Sequence, residues 1–368
     1  QKIEDMDVSL QQRVEILKML YREAEILIFD EPTALLTPQE TDYLLKIIEE
    51  LRNGGKTIIL ISHKLEEIKR VADRCAILRK GKLIDVLDVK TASTKTMANL
   101  MVGREVSLEI EKKPAKFGDV VLEVENLSVR NQDNVEVVKN VSFKIHSGEI
   151  FAIAGVAGNG QVELADSISG VTEIAKGTIK LNGEDISHYT VRERTIKGIS
   201  YIPEDRQTYG LILDFTLAEN LALKDYYKEP FCQKGKLNKD VINEYGRKLI
   251  EKYDIRSSLG VNTKVRQMSG GNQQKAIVAR EIELDSPLMI FVQPTRGLDV
   301  GAIENIQKMI VEERDKGKAI LLVSLELDEI MNIADTIAII YNGEILKVAP
   351  KEELTVEEVG EYMMGVTA

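Results

Sequence analysis

The amino-acid sequence predicts an α/β fold built around a parallel sheet, and three observations indicate it. Helix and strand signals alternate along the chain, as they do in βαβ units. The apolar run Ile26–Phe29 has the length and composition of a strand that is buried on both faces. A glycine-rich loop, residues 155–160, lies between a strand signal and a helix signal. In open parallel sheets ligands bind at the carboxyl ends of strands, so both places are candidates for function.

Composition limits the classes of function that the chain can have. Its 368 residues give room for more than one domain with a sizeable core. The net charge of −11 argues against a broad nucleic-acid-binding surface, which should be basic. Cys75 and Cys232 lie far apart, which is typical of unpaired thiols in a reduced cytosolic protein. No apolar run approaches the roughly 18 residues of a membrane helix. We therefore expect any membrane role to come through a partner.

The first hundred residues contain a regular series of predicted elements. Pro32 stops the first strand, and Gly54-Gly55 ends a helix whose apolar residues recur at helical spacing. A second strand ends at His63. In chain order the predicted elements are a helix at about 13–20, a strand from 26, a helix at 39–52, a strand at 57–62, a helix at 65–72, and a hairpin of 75–79 with 82–86.

Residues 6–103 recur in residues 268–365 without a gap. Phe29 corresponds to Phe291 and Gly103 to Gly365, so the offset is constant at 262 positions. Such a repeat predicts two copies of one structural unit. We expect residues 1–103 to be the C-terminal part of a first domain, residues 104–120 a solvated charged linker, and residues 121–368 a complete second domain. The counterpart of the loop at 155–160 would then lie upstream of residue 1.

The second domain adds elements that the first copy lacks. Strands are predicted at 121–129, 135–145, 149–154 and 178–181. Asn182-Gly183 predicts a tight hairpin turn after the last of these strands. Residues 212–262 are richer in helix formers and polar residues, which predicts a helical subdomain.

Several motifs together resemble the ATP-binding-cassette (ABC) ATPases. Ser269–Gln274 resembles the family signature, Asp30-Glu31 the Walker B pair, and His63 the switch histidine. Gln293–Asp299 and Pro203–Arg206 resemble the second cassette of the tandem ATPases of bacterial simple-sugar and nucleoside importers. The resemblance covers essentially the whole chain. It implies a P-loop NTPase core with an antiparallel β subdomain and a helical subdomain, in tandem, that uses ATP and Mg²⁺.

The glycine-rich loop is expected to approach phosphate groups. Gly155, Gly158 and Gly160 stand where a phosphate loop needs backbone N–H groups to cradle phosphate oxygens at a helix N-terminus. Such a loop then requires Lys for the phosphates and Ser or Thr for Mg²⁺, and these positions hold Gln161 and Val162. We expect weak nucleotide binding without turnover. The alternative is a tight strand-to-helix turn that binds nothing.

The resemblance assigns the catalytic roles to the first copy. Asp30 would hold Mg²⁺ through water, Glu31 would orient or deprotonate the attacking water, and His63 would contact the γ-phosphate. Two carboxylates alone would indicate only a polar turn, and a lone His at a strand end is more often structural. The second copy has no acid or imidazole at these positions, which hold Val292, Gln293 and Leu325.

The signature motifs are distributed in the opposite way. In the second copy the residues expected to contact nucleotide are Ser269, Gly270, Gly271, Asn272 and Gln273, with Asp299 further along the chain. In the first copy the signature positions hold Asp7-Val8-Ser9, which would oppose a triphosphate with a negative charge. Cassettes of the family dimerise head to tail. One composite site would therefore combine the intact parts of both copies, and the other site would combine the degenerate parts.

The implied function is that of the energy-coupling ATPase subunit of an importer for nucleosides or simple sugars. Its partners would be transmembrane permease subunits and, indirectly, a substrate-binding protein, at the cytoplasmic face of the membrane. The segments 12–18 and 28–34 resemble the nucleoside branch. Residues 1–368 contain no phosphate loop with Lys, so we expect this stretch alone to be inactive.

Two alternatives from other classes remain open at this stage. A soluble tandem-cassette protein acting on ribosomes usually keeps both catalytic Glu residues and a long basic linker. Gln293 and the short connector at 104–120 argue against it. A non-catalytic nucleotide-binding or regulatory module fits the absence of a loop Lys.

Overall fold

The computed structural model of the protein describes residues 14, 15, 17, 18, 21, 24–33, 36, 38–79, 81–105, 110–131 and 133–366. These residues form two compact units. The first contains the described residues up to 105, with Asp299–Glu304 grouped with them. The second contains the remaining residues from 110 onward. No helix among the described residues is long and apolar enough to cross a membrane.

The first unit follows the predicted order of elements closely. Its elements are β1 (Ile26–Asp30), α1 (Pro38–Asn53), β2 (Thr57–Ile61), α2 (Leu65–Val71), β3 (Arg74–Arg79), β4 (Lys82–Asp88) and α3 (Thr94–Val102). Strands β1 and β2 pair in parallel, and β3 and β4 form an antiparallel hairpin. Of the helix predicted at 13–20, residues 14, 15, 17 and 18 are helical, and the others lie outside the described residues.

The second unit carries the larger core. Its first elements are β5 (Val120–Arg130), β6 (Glu136–His146), β7 (Ile150–Ala154), α4 (Gln161–Ser169), β8 (Ile174–Leu181), β9 (Glu184–Asp185), α5 (Val191–Lys197), β10 (Ile199–Ile202), α6 (Leu217–Leu221), β11 (Cys232–Gln233), β12 (Lys236–Leu237) and α7 (Lys239–Lys252). They are followed by α8 (Gly270–Ile282), β13 (Leu288–Val292), α9 (Val300–Asp315), β14 (Ala319–Ser324), α10 (Leu327–Ile333), β15 (Thr336–Tyr341), β16 (Glu344–Pro350) and α11 (Val356–Met363).

Two sheets enclose this core. The larger sheet has the order β10-β13-β14-β7-β15-β16, in which all pairs are parallel except β15 with β16. The smaller sheet, β6-β5-β8-β9, is antiparallel. Both sheets and α4 contribute side chains to one apolar cluster. Asn182 and Gly183 connect β8 to β9 with φ of 49° and 80°, the left-handed backbone that a two-residue turn of this kind requires.

The region predicted to be helical contains more than helices. Besides α6 and α7 it holds the two-residue strands β11 and β12 and one short 3₁₀ turn, Gly260–Asn262. An apolar cluster that includes Phe231 and Ile242 joins these pieces. Strands as short as β11 and β12 leave no alternating pattern in the sequence, because two residues do not define a period.

Strand β1 departs from the prediction that it is buried on both faces. Leu27 and Phe29 are buried against α1, but Ile26 and Ile28 are 61% and 59% exposed. Its counterpart β13 is buried at all five positions. Strand β13 lies between two neighbouring strands in a six-stranded sheet, whereas β1 pairs only with β2 among the described residues. The apolar run therefore reflects a pattern shared with β13 rather than the burial of β1 itself.

The described part of the connector, residues 110–120, is largely exposed as predicted, but Ile110 and Lys112 dock onto the rest of the second unit. Ile110 is buried, and its N–H donates to Asn332 Oδ1 at 3.1 Å. Lys112 Nζ donates to Ile333 O at 3.1 Å and to Asp335 Oδ1 at 2.7 Å. The last carbonyls of a helix lack partners within the helix, and the ammonium group of Lys112 meets this need at the end of α10. Charge composition did not reveal this, because a charged side chain can bury its stem.

Candidate functional site

Glu31 and His63 meet at the carboxyl edge of the β1–β2 pair. Asp30 is in register with Ile61, so the residues that follow the two strands come together. Glu31 has a φ of +46°, and its N–H donates to Ile61 O at 2.9 Å. Its Oε1 lies 2.9 Å from His63 Nδ1, and both side chains are partly exposed. The structure thus brings the two predicted catalytic residues into one hydrogen-bonded pair.

A buried carboxylate behind this pair was missed by the sequence reasoning. Glu67 Oε1 accepts from Thr33 Oγ1 at 2.6 Å, and its Oε2 accepts from Ser62 Oγ at 3.1 Å. Thr33 follows Glu31 by two residues, and Ser62 directly precedes His63. Glu67 therefore ties together the two segments that carry the predicted catalytic side chains. The repeat offered a signal, because the same three residue types stand in the second copy at Thr295, Ser324 and Glu329.

Glu329, the counterpart of Glu67, is enclosed more completely. Only 3% of the residue is exposed. Burial raises its pKa from an ordinary 4.5 to about 7, against the opposing effect of Ser324, Thr295 and Gln307. A carboxyl group in this environment exchanges its proton near neutral pH.

Gln293 has the backbone geometry of Glu31 with a different side chain. Its φ is +51°, and its N–H donates to Val323 O at 2.8 Å. Its Oε1 lies 3.5 Å from the backbone nitrogen of Leu325. The side chain of Leu325 offers no imidazole in place of His63. The preceding Val292 lies fully in the core. These three positions therefore carry no carboxylate and no titratable pair.

The glycine-rich loop joins β7 to α4 in a tight path. Gly158 and Gly160 have φ of 86° and 92°. A Cβ on Gly160 would lie 2.2 Å from Val137 O, and a Cβ on Gly155 would lie 2.8 Å from Ile340 Cγ2. Close packing thus requires glycine at 155 and 160, and the left-handed backbone favours glycine at 158 and 160.

Gln161 occupies the position of the missing loop Lys and folds back across the loop. Its Nε2 donates to Val156 O at 2.8 Å, and the residue is 1% exposed. Asn159 fixes the other side of the loop, because its Oδ1 accepts from the Asn342 N–H at 2.8 Å. Among the described residues, no acceptor takes a hydrogen bond from the backbone N–H groups of 156–162. The loop therefore presents free donors around an uncharged side chain.

The signature residues begin α8. Ser269 is the residue before the helix, and its Oγ accepts from Asn272 Nδ2 at 2.8 Å. Gln273 is buried, and its Nε2 donates to Val265 O at 3.0 Å, so its side chain holds the segment that precedes the helix. Gly270 lies against Arg206, whose Nη2 would be 2.8 Å from an added Cβ. Gly271 is the second residue of the helix.

The remaining predicted site residues fall in separate places. Asp299 is exposed, and its Oδ1 accepts from the Ala302 N–H at 2.8 Å at the start of α9. Arg206 Nη1 donates to Arg296 O at 3.1 Å, and Arg296 pairs with the Glu204 carboxylate. From the sequence, Arg206 and Arg296 were noted only as members of motifs that resemble the family. The first-copy signature at Asp7-Val8-Ser9 lies outside the described residues.

The two strand ends differ in their fitness for Mg²⁺. Mg²⁺ binds proteins through one or two carboxylates together with substrate phosphates and water. Asp30 is exposed at the edge of the β1–β2 pair and fits this role. Val292 and Gln293 offer no carboxylate and do not fit it. Among the described residues, no cluster of three or more His, Cys, Asp or Glu could hold a metal by itself.

Comparison with known proteins decides the family. A family model described as ABC transporter matches residues 138–296. The nucleoside import ATP-binding protein NupA of Lactococcus lactis subsp. cremoris (strain MG1363) is 48% identical over 363 residues, which cover 99% of this chain and 72% of that protein. The chain belongs to the ABC transporter family. This ABC protein is also 49% identical over 366 residues to the guanosine import ATP-binding protein NupO of Bacillus subtilis (strain 168), which covers 100% of this chain and 72% of NupO.

Solved structures agree with the fold of this ABC protein. A nucleotide-free ATP-binding cassette from an ABC transporter superposes with a TM-score of 0.55 at 21% identity, covering 64% of this chain and 93% of that one. The predicted family and its P-loop α/β core are therefore confirmed.

Proposed function

We propose that this chain belongs to the ATP-hydrolysing, energy-coupling subunit of an ABC importer. Residues 1–103 would be the C-terminal part of one cassette and residues 121–368 a second cassette in tandem, joined by the connector at 104–120. The constant offset between the copies and the family membership support this arrangement. ATP binding brings the cassettes together, hydrolysis separates them, and the motion drives a permease.

The contrast between Glu31–His63 and Gln293–Leu325 carries this proposal. Both pairs follow equivalent parallel strands, and both leading residues have a positive φ and the same backbone hydrogen bond. Only the first pair joins a carboxylate to an imidazole, at 2.9 Å. We infer one competent ATP site that uses Asp30, Glu31 and His63, and one degenerate site.

In the competent site, Glu31 orients the attacking water and accepts its proton. His63 holds the carboxylate through the Nδ1 contact, so that Glu31 needs no rearrangement when water arrives. Asp30 would hold Mg²⁺ through water, and the ion would supply positive charge against the phosphate oxygens. Thr33 and Ser62 bond to Glu67 from either side and limit the movement of both segments.

The pattern of intact and lost residues favours head-to-tail pairing of the cassettes. Ser269, Gly270 and Gly271, with the nearby Asn272, complete the competent site from the second cassette. The degenerate site combines Gln161, Val162 and Gln293 with the first-copy signature. If each position had lost its family residue independently, both sites would contain a mixture of matching and altered residues.

Nucleosides are the transported substrates that we propose. The two relatives described above are named for nucleoside and guanosine import. Such a subunit acts at the cytoplasmic face of the membrane on transmembrane permease subunits, and a substrate-binding protein supplies the nucleoside from the other side. Simple sugars are the other class that the sequence resemblance implies.

Uptake by the assembled transporter tests this proposal. Vesicles that contain the permease, the substrate-binding protein and the complete energy-coupling subunit should take up labelled guanosine in the presence of internal ATP, and should take up ribose much more slowly. Glu31→Gln should reduce guanosine uptake by about 10²-fold or more, because a positioned general base is lost. Unchanged uptake in this variant would contradict the proposal. Nucleotide binding without hydrolysis by the complex would favour a regulatory module instead.

A further inference from the structure

We propose that the phosphate loop of the second cassette, residues 155–162, binds the phosphate groups of a nucleotide without Mg²⁺. The inference rests on the proposed function, because it concerns the site described there as degenerate. Nucleotide sites of this kind ordinarily share the metal between a carboxylate and the phosphates. Here the residues do not fit a metal, yet the donors for an anion are in place.

The donors come first from the backbone. The N–H groups of 156–162 bond to no acceptor among the described residues. Gly158 and Gly160 adopt left-handed backbone conformations, which turn successive N–H groups toward one side of the loop. The nine-residue helix α4 then begins at Gln161 and adds the positive end of its dipole.

Gln161 provides an independent sign that a ligand belongs in the loop. Its Nε2 is committed to Val156 O, so the orientation of the amide is fixed. Its Oε1 is buried and has no hydrogen-bond partner among the described residues. A buried acceptor without a partner is destabilising. A water molecule that donates one hydrogen to this Oε1 and the other to a phosphate oxygen would satisfy it.

Gln293 supplies a second buried amide at the same edge of the sheet. Strand β14 separates β13 from β7, and the three strands are parallel. Gln293 therefore lies two strand spacings, roughly 10 Å, along this edge from the start of the loop. It is 4% exposed, and its Nε2 has no partner among the described residues. An amide N–H donates directly to a phosphate oxygen, whereas a carboxylate at this position needs a cation between the two.

Two acidic side chains of neighbouring elements are already engaged. Glu204, which follows β10, pairs with Arg296. Asp166 on α4 accepts from the hydroxyl of Tyr201. Both carboxylates therefore have protein partners, and Val292 stands where the first copy has the metal-binding acid. Neutral donors thus remain as the recognition chemistry, and the ligand is a metal-free nucleotide phosphate.

Nucleotide binding with and without metal tests this inference. The chain of residues 1–368 is titrated into a fluorescent N-methylanthraniloyl ATP, once in EDTA and once in excess Mg²⁺. We expect the dissociation constants to agree within about twofold. Ala157→Asp places a negative charge at an exposed loop position and should abolish this binding. Lys236→Ala, on exposed β12, is the control and should change nothing.

Two substitutions of Gln293 test whether the side chain at this position donates a hydrogen bond to phosphate or acts through a metal ion. Gln293→Ala should weaken binding about tenfold under both conditions, because a hydrogen bond to a charged group is lost. Gln293→Glu should weaken it in EDTA and recover it in Mg²⁺.

Each other outcome has a defined meaning. Binding that requires Mg²⁺ in the wild type would overturn the metal-free site and leave the proposed function standing. Binding that survives Ala157→Asp would place the nucleotide elsewhere and also overturn the inference. Absence of binding under both conditions would reject nucleotide binding by this loop, while hydrolysis at Glu31 is tested separately.

Discussion

Glu329 is an acidic side chain enclosed almost entirely by protein, and its ionisation makes stability depend on pH. Its pKa rises to about 7 in the folded chain from an ordinary 4.5. The protonated form is therefore favoured by folding. The stability that it contributes is fully present below about pH 4.5 and is lost as the pH rises through 7.

Glu329→Gln should therefore stabilise the chain at alkaline pH more than at acid pH. The amide keeps the shape of the protonated acid and cannot ionise. The free energy of unfolding of the variant relative to wild type should increase by about 1–3 kcal/mol between pH 4.5 and pH 8.5. Urea unfolding at the two pH values measures this, with exposed Glu344→Gln as the control. An equal difference at both pH values would contradict the burial argument.

Residues behind the site were harder to predict than residues in it. Glu31 and His63 can be found in the sequence because each follows an apolar strand, and Pro32 marks the end of the first strand. Glu67 stands in a helix among other charged residues, and nothing in that local pattern separates it from a solvated face. Its role depends on Thr33 and Ser62, which only the folded chain brings to it.

At the scale of elements, the glycine-rich loop has the backbone of a phosphate loop, although Gln161 and Val162 replace the Lys and the Ser or Thr. Gly158 and Gly160 share a left-handed backbone, but only Gly160 is closely packed, against Val137 O. A Cβ at Gly158 meets nothing within 4 Å. Substituting Gly158 therefore tests backbone strain alone, and substituting Gly160 tests backbone strain together with a steric clash.

Gly158→Ala should cost about 1–2 kcal/mol of the free energy of unfolding, for the left-handed backbone alone. Gly160→Ala should cost about 1–3 kcal/mol more, because the added methyl group displaces the backbone at Val137. Urea unfolding of both variants at one pH measures the difference. Equal losses would show that the loop relaxes freely and does not hold its form by packing.

The positions of helices and strands could be predicted where apolar residues recur regularly in the sequence. The burial of individual side chains could not be predicted in this way. The strand from Ile26 and the helix ending before Gly54 were found from apolar spacing and breakers. The exposure of Ile28 and the docking of Lys112 were not, since both depend on which other elements lie alongside. The strands β11 and β12 are too short to give any periodic signal.

At the scale of the whole molecule, the internal repeat carries the functional argument. A constant offset of 262 residues matches each position of one copy with a counterpart, so the loss of an acid or imidazole can be read position by position. The equivalent backbone hydrogen bonds of Glu31 and Gln293, 2.9 and 2.8 Å, bear out the match locally.

The central claim is that one ATP site performs the chemistry and that Glu31 serves it. The most direct measurement is steady-state ATP hydrolysis by the transporter assembled with its permease, with Glu31→Gln and Gln293→Ala compared side by side. Glu31→Gln should lower the rate by about 10²–10⁴-fold, because the positioned base is lost. Gln293→Ala should leave the rate within a few-fold of wild type, because no base stands there. Wild-type turnover in Glu31→Gln together with loss of turnover in Gln293→Ala would reverse the assignment of the two sites.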